Sequence, residues 1–337
     1  MRTVSVCVIG MGRAGGLHAD IFKSEVPGAD LKLVVDQSEK VAREAGERLG
    51  VDWAVGQQEA IEREDIQAVV VAVPTSSHVP VVLSALEAGR NVLVEKPLAE
   101  SLDKGRELAK RADSSESVVQ VGYMRRFDGA YRSAKESVEA GRLGKLILYR
   151  AIAHDPAPPA GWASDPRSSG GIFYDMLSHD FDMARYIMSS EVVAVNAVGS
   201  SILYEDVKSK GDYDVACVQL TFESGAYGYV EGIRRSPYGY DLRTELVGSE
   251  ATIAVGSMSD NQLTFADSEG VRQSGVKWFM GRFRRAFVEQ DRSFIRSILT
   301  KTGPEVSVSD GLRAMEIAEA CWTSSKELRP ISLEALR

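Results

Sequence analysis

The sequence predicts an α/β chain in two parts: a doubly wound parallel sheet over residues 1–123, then an α+β part over residues 124–337 on a large, mostly antiparallel sheet. Three observations predict this. In the first part short apolar runs alternate with helical stretches, the pattern of strand–helix–strand units. The turn after the first run carries glycines at the spacing of a nucleotide-binding loop. In the second part strand-like runs follow in series, some joined by connectors as short as Glu223-Ser224-Gly225 and Gly248-Ser249-Glu250, as antiparallel strands are.

Taken in order, Val4–Ile9 is an apolar run suited to a buried parallel strand. Gly10-Met11-Gly12-Arg13-Ala14-Gly15 follows at once, and then a helical stretch over 15–23. This is the G-x-G-x-x-G fingerprint in its strand–turn–helix context: the first glycine allows the tight turn, the second the approach of a pyrophosphate, the third the packing of helix on strand. A second strand over 31–35 ends in Asp36, about twenty residues on, where an acid meets the adenosine ribose of a dinucleotide. The Asp36 carboxylate accepts from ribose hydroxyls and repels a 2′-phosphate. Gln37, Ser38 and Glu39 offer no cation to receive one, although Lys40 and Arg43 lie further along. The reading is NAD rather than NADP in a Rossmann-type sheet.

Helices are expected over 38–49 and, more weakly, 59–63, with a strand over 68–73. Pro74, Thr75, Ser76, Ser77 and His78 form the turn at that strand's carboxyl end, where ligands sit in open α/β sheets. Pro74, Thr75 and His78 are cofactor candidates, and a capping role for His78 is the alternative. A helix over 79–88 closes at Gly89, and a strand over 91–94 delivers Glu95-Lys96-Pro97 to the same edge. There a lysine can be partly desolvated and serve chemistry; a salt bridge to Glu95 is the plainer reading. A helix over 102–112 and a strand over 118–121 complete the sheet.

The second part opens with a helix over 128–140 and a strand over 145–153. A Pro-, Ser- and Ala-rich connection over 154–169 suits a site-lining loop. The stretch from Ser169 to about Met188 reads as a helix that puts Asp175 and His179 one turn apart on one face. A carboxylate beside an imidazole is a common way to fix a general base; an incidental ion pair on a capped surface helix is the alternative. Strands are expected over 192–199, 215–222, 226–233, 244–247 and 252–255, a loop-rich stretch over 257–275, and helices over 283–299 and 310–327.

Composition narrows the function classes. Of 337 residues, 44% are hydrophobic and 26% charged, ordinary for a soluble globular chain. A net charge of -8 argues against nucleic acid or an anionic membrane as partner. Cys7, Cys217 and Cys321 show neither zinc spacing nor a disulfide framework, and no leader precedes Val4, so the cytoplasm is the expected compartment. The four histidines show no ligand spacing, and no metal is expected.

The fingerprint, Glu95-Lys96-Pro97, Gly122-Tyr123-Met124-Arg125-Arg126-Phe127-Asp128, Asp155-Pro156-Ala157-Pro158-Pro159, Gly170-Gly171, Asp175 with His179, and Tyr238-Gly239-Tyr240-Asp241 together resemble the glucose-fructose oxidoreductase / inositol dehydrogenase family, and within it the inositol 2-dehydrogenase branch. The resemblance covers nearly the whole chain. It implies that Lys96, Asp175 and His179 stand together beside the nicotinamide of NAD, with Gly10, Met11, Gly12, Arg13, Ala14, Gly15, Asp36, Gln37, Pro74, Thr75, His78, Glu95, Lys96 and Arg125 toward the cofactor. It implies a polyol or sugar substrate, for which Arg125, Asp155, Trp162, Tyr174 and Tyr238 join the catalytic three as candidates; Trp162 is a ring-stacking residue or a loop anchor. It also implies an open sheet whose outer face carries a homo-oligomer contact, commonly in a tetramer. One departure stands out: where inositol enzymes more often have tyrosine, this chain has Phe283 and Phe287, which either trim the site's hydrogen bonds or face the core. A dehydrogenase for an aldose or anhydro sugar is the nearest alternative, and a dinucleotide-binding regulator without turnover the more distant one.

Overall fold

A computed structural model describes residues 3–257 and 259–336. The chain divides into two compact units, one of residues 1–124 with 286–315 and one of residues 125–285 with 316–337.

The first unit alternates β1 (Val4–Ile9), α1 (Arg13–Ser24), β2 (Ala29–Val35), α2 (Glu39–Leu49), β3 (Asp52–Ala54), α3 (Gln57–Glu62), β4 (Ala68–Val71), α4 (His78–Glu87), β5 (Asn91–Val94), α5 (Leu102–Asp113) and β6 (Val119–Val121). Its six strands lie in the order β3-β2-β1-β4-β5-β6, and every pairing is parallel. The order reverses between β1 and β4, so the carboxyl ends of these two strands mark the switch point at which such sheets take ligands. Ala68, Val69, Val70 and Val71 of β4 are all buried, as a central strand covered on both faces demands. Ser38 caps α2 by accepting from the Val41 amide, and Gly50 ends it in the left-handed conformation. β3 is a three-residue edge strand that the sequence reading lacks, because so short a run carries no period.

The second unit is built from α6 (Gly129–Glu139), β7 (Leu146–His154), α7 (Pro166–Ser169), α8 (Ser178–Met188), β8 (Val192–Ser200), α9 (Glu205–Ser209), β9 (Val215–Phe222), β10 (Tyr227–Ile233), β11 (Asp241–Gly248), β12 (Thr252–Val255), β13 (Ser259–Asp267) and β14 (Gly270–Gly275). The helices α10 (Phe279–Thr300) and α11 (Val308–Glu327) contribute residues to both units, and β15 (Ile331–Ser332) closes the sheet edge. The large sheet has seven strands in the order β12-β11-β7-β10-β9-β8-β15. Neighbours are antiparallel except β7 with β10, which run parallel from Leu148 opposite Tyr227 to His154 opposite Ile233. Burial alternates along β9 and β10: Ala216, Val218, Leu220 and Val230 point into the core, while Tyr227 and Tyr229 are exposed.

Two readings are corrected here. Residues 257–275 are not loop-rich: β13 and β14 pair as a hairpin of their own, with Phe265 opposite Arg272. Leu263, Phe265 and Val271 on it are exposed, so these apolar residues do not mark a buried face that would print a hydrophobic alternation in the sequence. Residues 286–315 belong with the first unit, although a division by sequence at 123/124 puts them in the second. The Val306 carbonyl accepts from the Val121 amide at 3.1 Å, and the Gln120 side chain donates to the Gln290 carbonyl at 3.1 Å.

Candidate active site

In the first unit the glycine turn after β1 is shaped by what cannot be there. Gly10 sits at φ +91°, and a Cβ on it would lie 2.6 Å from the Ala72 carbonyl oxygen; one on Gly15 would collide with the Gly10 carbonyl. Around Gly12, by contrast, the Cβ direction is open to 4 Å. Gly12 precedes α1 without a side-chain cap, and a helix start of this kind suits an anion. Met11 donates its amide to Asp36 Oδ2 at 2.8 Å, and Ser38 donates to Oδ1 at 2.9 Å. The carboxylate is thereby fixed at the end of β2 with lone pairs left for ribose hydroxyls. Gln37 and Arg13 are exposed beside it, and Met11 and Ala14 half-buried. Pro74 is exposed, whereas Thr75 is fully buried and its hydroxyl has no hydrogen-bond partner among the described residues. An open cradle, a helix start without a side-chain cap and a positioned acid fit a dinucleotide.

His78 has both ring nitrogens committed to backbone oxygens, Nδ1 to Pro97 at 2.8 Å and Nε2 to Val73 at 3.0 Å. Burial pushes its pKa down. It ties the turn after β4 to the turn after β5, where the Lys96–Pro97 peptide is cis and Lys96 is half-buried. Glu95 Oε1 faces Nε2 of the fully buried His18 at 3.0 Å. The other ring nitrogen of His18 lies 2.9 Å from both oxygens of Asp291.

In the second unit the stretch that carries Asp175 and His179 is not one regular helix, which corrects the one-face argument. Ile172–Met176 is a π turn, with the Leu177 amide donating to the Ile172 carbonyl at 2.9 Å, and α8 starts only at Ser178. Such single-turn widenings recur at functional sites. The turn is held from below: Asp212 accepts from the Ile172 amide at 3.0 Å and pairs with the buried Arg234. Asp175 is half-buried and His179 buried.

Arg125 is 3% exposed and donates to Asp180 Oδ1 at 2.7 Å, with the Tyr240 hydroxyl 3.5 Å from its other arm. Arg126 grips Asp182 at 2.9 and 2.6 Å. These two pairs brace α8 on either side of Phe181, and the sequence reading missed both acids. Asp155 is half-buried, Trp162 is 45% exposed and Tyr238 52% exposed. Tyr238 donates to Asp241 at 2.9 Å, and His154 contacts Glu231 at 2.7 Å. Tyr174 is buried and donates to Glu319 at 2.7 Å. Phe283 and Phe287 are both buried, with Phe287 edge-on to His18 at 5.4 Å.

The fold of the first unit, with its cradle and its placed acid, defines a dinucleotide-dependent oxidoreductase. Comparison with known proteins narrows that class. Residues 4–123 match the oxidoreductase family with an NAD-binding Rossmann fold, and residues 131–254 match the GFO/IDH/MocA C-terminal domain. The chain belongs to this family of NAD-dependent oxidoreductases. It is 37% identical over 329 residues to a myo-inositol 2-dehydrogenase of Thermotoga maritima, covering 97% of this chain and 98% of that one. It is 34% identical over 336 residues to the NAD(+)-dependent scyllo-inositol 2-dehydrogenase of Bacillus subtilis, covering 99% and 97%. The crystal structure of scyllo-inositol dehydrogenase from Lactobacillus casei with bound NAD(H) and scyllo-inositol superposes with a TM-score of 0.92 at 27% identity, covering 99% of this chain and 100% of that one. Among the described residues no helix is long and apolar enough to cross a membrane.

Proposed function

We propose that this oxidoreductase oxidises a secondary hydroxyl of a cyclic polyol, myo-inositol at C2, to the 2-keto product. The observation that carries this is near-complete coverage of relatives whose names assign them to inositols, at 37% and 34% identity, in a chain that keeps Lys96, Asp175 and His179. NAD, when bound, supplies the hydride acceptor. In this reading His179 takes the proton from the reacting hydroxyl, and it must be neutral to do so. Lys96 as an ammonium stabilises the oxyanion that develops as the proton leaves. Asp175 hydrogen-bonds His179 or a substrate hydroxyl and keeps the base oriented. Asp155, Trp162 and Tyr238 supply polar and stacking contacts to the ring, and every substrate hydroxyl left without a partner costs about 1–3 kcal/mol. A homotetramer is part of the proposal: Tyr227, Tyr229 and Val198 lie exposed on the outer face of the large sheet, and light scattering on the purified protein tests whether it assembles.

The substrate is tested by kcat/KM for myo-inositol, scyllo-inositol, glucose and a 1,5-anhydro sugar under saturating NAD. The expected result is an inositol ahead of both sugars by at least about tenfold, or roughly 1.4 kcal/mol. If glucose or the anhydro sugar leads both inositols by that factor, the inositol assignment fails.

A further inference from the structure

Three ionisable side chains from distant parts of the chain meet in the interior of the first unit, and the residue next to one of them is Lys96. His18 on α1 is fully buried. Its Nδ1 faces both oxygens of Asp291, from α10, at 2.9 Å, and its Nε2 faces Glu95 Oε1, just past β5, at 3.0 Å. The ring also stacks on Phe22 at 6.5 Å and stands edge-on to Phe287 at 5.4 Å. Asp291 is fully buried as well. Glu95 is also fenced from the other side, since a Cβ on Gly122 would stand 2.8 Å from its Oε1.

The hydrogen bonds fix the charges. A carboxylate only accepts, so two ionised carboxylates facing the two ring nitrogens require both nitrogens to carry protons. The cluster is then an imidazolium between two carboxylates. A buried charge persists only when paired and hydrogen-bonded, and charge-assisted bonds of this kind are among the strongest and most directional available to a side chain. Burial pulls the His18 pKa down, but Asp291 and Glu95 outweigh it and hold it at about 10.

We propose that Asp291 and His18 are positioning residues for the reaction: they lock the Glu95 side chain, and with it the backbone that presents Lys96. The inference rests on the role given to Lys96 above. His78 pins the following turn from the other side through the Pro97 carbonyl, so the backbone that carries Lys96 is clamped before and after it. Such clamping is what holds a catalytic group within the small tolerance that chemistry demands.

The test uses Asp291→Asn, which keeps the shape and an acceptor oxygen but removes the charge. Losing that carboxylate lowers the His18 pKa, so the imidazolium gives up its proton at a lower pH, and the bond to Glu95 loses its charge assistance and the support of a carboxylate behind the ring. Charged groups facing His18 are Asp291 on α10 and Glu95 after β5, so the change is assigned to them. Two readouts are taken. The first needs no substrate: ¹⁵N spectra of histidine-labelled protein, assigned by His18→Gln, should show the His18 ring doubly protonated to beyond pH 9 in the wild type and titrating lower in Asp291→Asn. The second uses whichever substrate the wild type turns over fastest, so a wrong choice of polyol does not touch it. Asp291→Asn should lower kcat at least fivefold and move the alkaline fall of activity to lower pH, with the NAD dissociation constant within threefold of wild type. Glu95→Gln, which leaves the Asp291–His18 pair whole, should lower kcat likewise and serves if Asp291→Asn does not fold. A His18 ring that titrates near 6.5 in the wild type, a smaller fall in kcat with an unmoved pH profile, or a loss confined to NAD affinity overturns the proposal. Lys96→Ala runs beside them: if that variant keeps its turnover, the role of Lys96 fails, while the spectra still judge the cluster.

Discussion

Two glycine-bearing turns in this chain look alike in sequence and do opposite things. In the turn after β1, the Cβ direction of Gly12 is open to 4 Å; the missing side chain makes room for something that is not protein. At Gly171, which sits at φ +70°, a Cβ would lie 2.7 Å from both Asp212 and Trp322. There the missing side chain makes room for the protein's own support beneath the π turn. In the proposed reading the first region binds through backbone amides and one fixed carboxylate, so its function is a property of chain geometry. In the same reading the second works through side chains, whose placement depends on how the turn is braced.

That contrast predicts where damage falls. The largest effects belong to the side-chain chemistry: Lys96→Ala and His179→Ala should each cut kcat about 10²-fold or more while NAD binding changes little, as steady-state kinetics beside calorimetric NAD titration would show. Near-native turnover in either variant removes the role assigned to that residue. A smaller effect is expected on the backbone side. NAD should be preferred to NADP by at least about tenfold, roughly 1.4 kcal/mol, and Asp36→Ala should narrow the gap without abolishing turnover, since the open turn at Gly12 and the start of α1 remain. Equal kcat/KM for the two cofactors in the wild type would contradict this.

The smallest effect is on stability. His18 has a folded pKa of about 10 against an ordinary 6.5. A raised pKa means that its contribution is complete below pH 6.5 and is lost as pH rises toward 10. Asp291 is also pushed up, by burial, but its ordinary range lies far below this window. Melting temperature should therefore fall across that interval by at least about 3 °C more in the wild type than in His18→Gln; parallel curves for the two proteins would refute the charge assignment.

How far the sequence carried these conclusions depends on the range of the interaction. The fingerprint and Asp36 were legible because β1, its turn and β2 are local and their glycine requirements are steric. The bounds of β1, β5, β9 and β12 were legible because each is a patterned or fully apolar run. The π turn was not, since a hydrogen bond displaced by one residue leaves no trace in ten residues of mixed polarity. The hairpin β13–β14 hid behind polar residues, and β15 is two residues long. Least legible was the company of Glu95: its neighbour Lys96 was found by position, but His18 had no visible partner because Asp291 lies 273 residues away. Arg125 was read toward ligands for the same reason, its acid lying 55 residues on.

That separation sets an order in time. A ribosome makes His18 and Glu95 well before Asp291, so while the residues between are being made the first unit lacks one of the charges its interior is built around. An imidazole facing Glu95 alone is a weaker organiser than one held from both sides, and the β6 edge waits as well for Val306. A chain stopped after residue 124 should therefore remain loosely packed, binding NAD weakly, until a peptide spanning residues 279–315 is added. The nucleotide-binding unit, first in sequence, is then completed only after most of the second unit has been made.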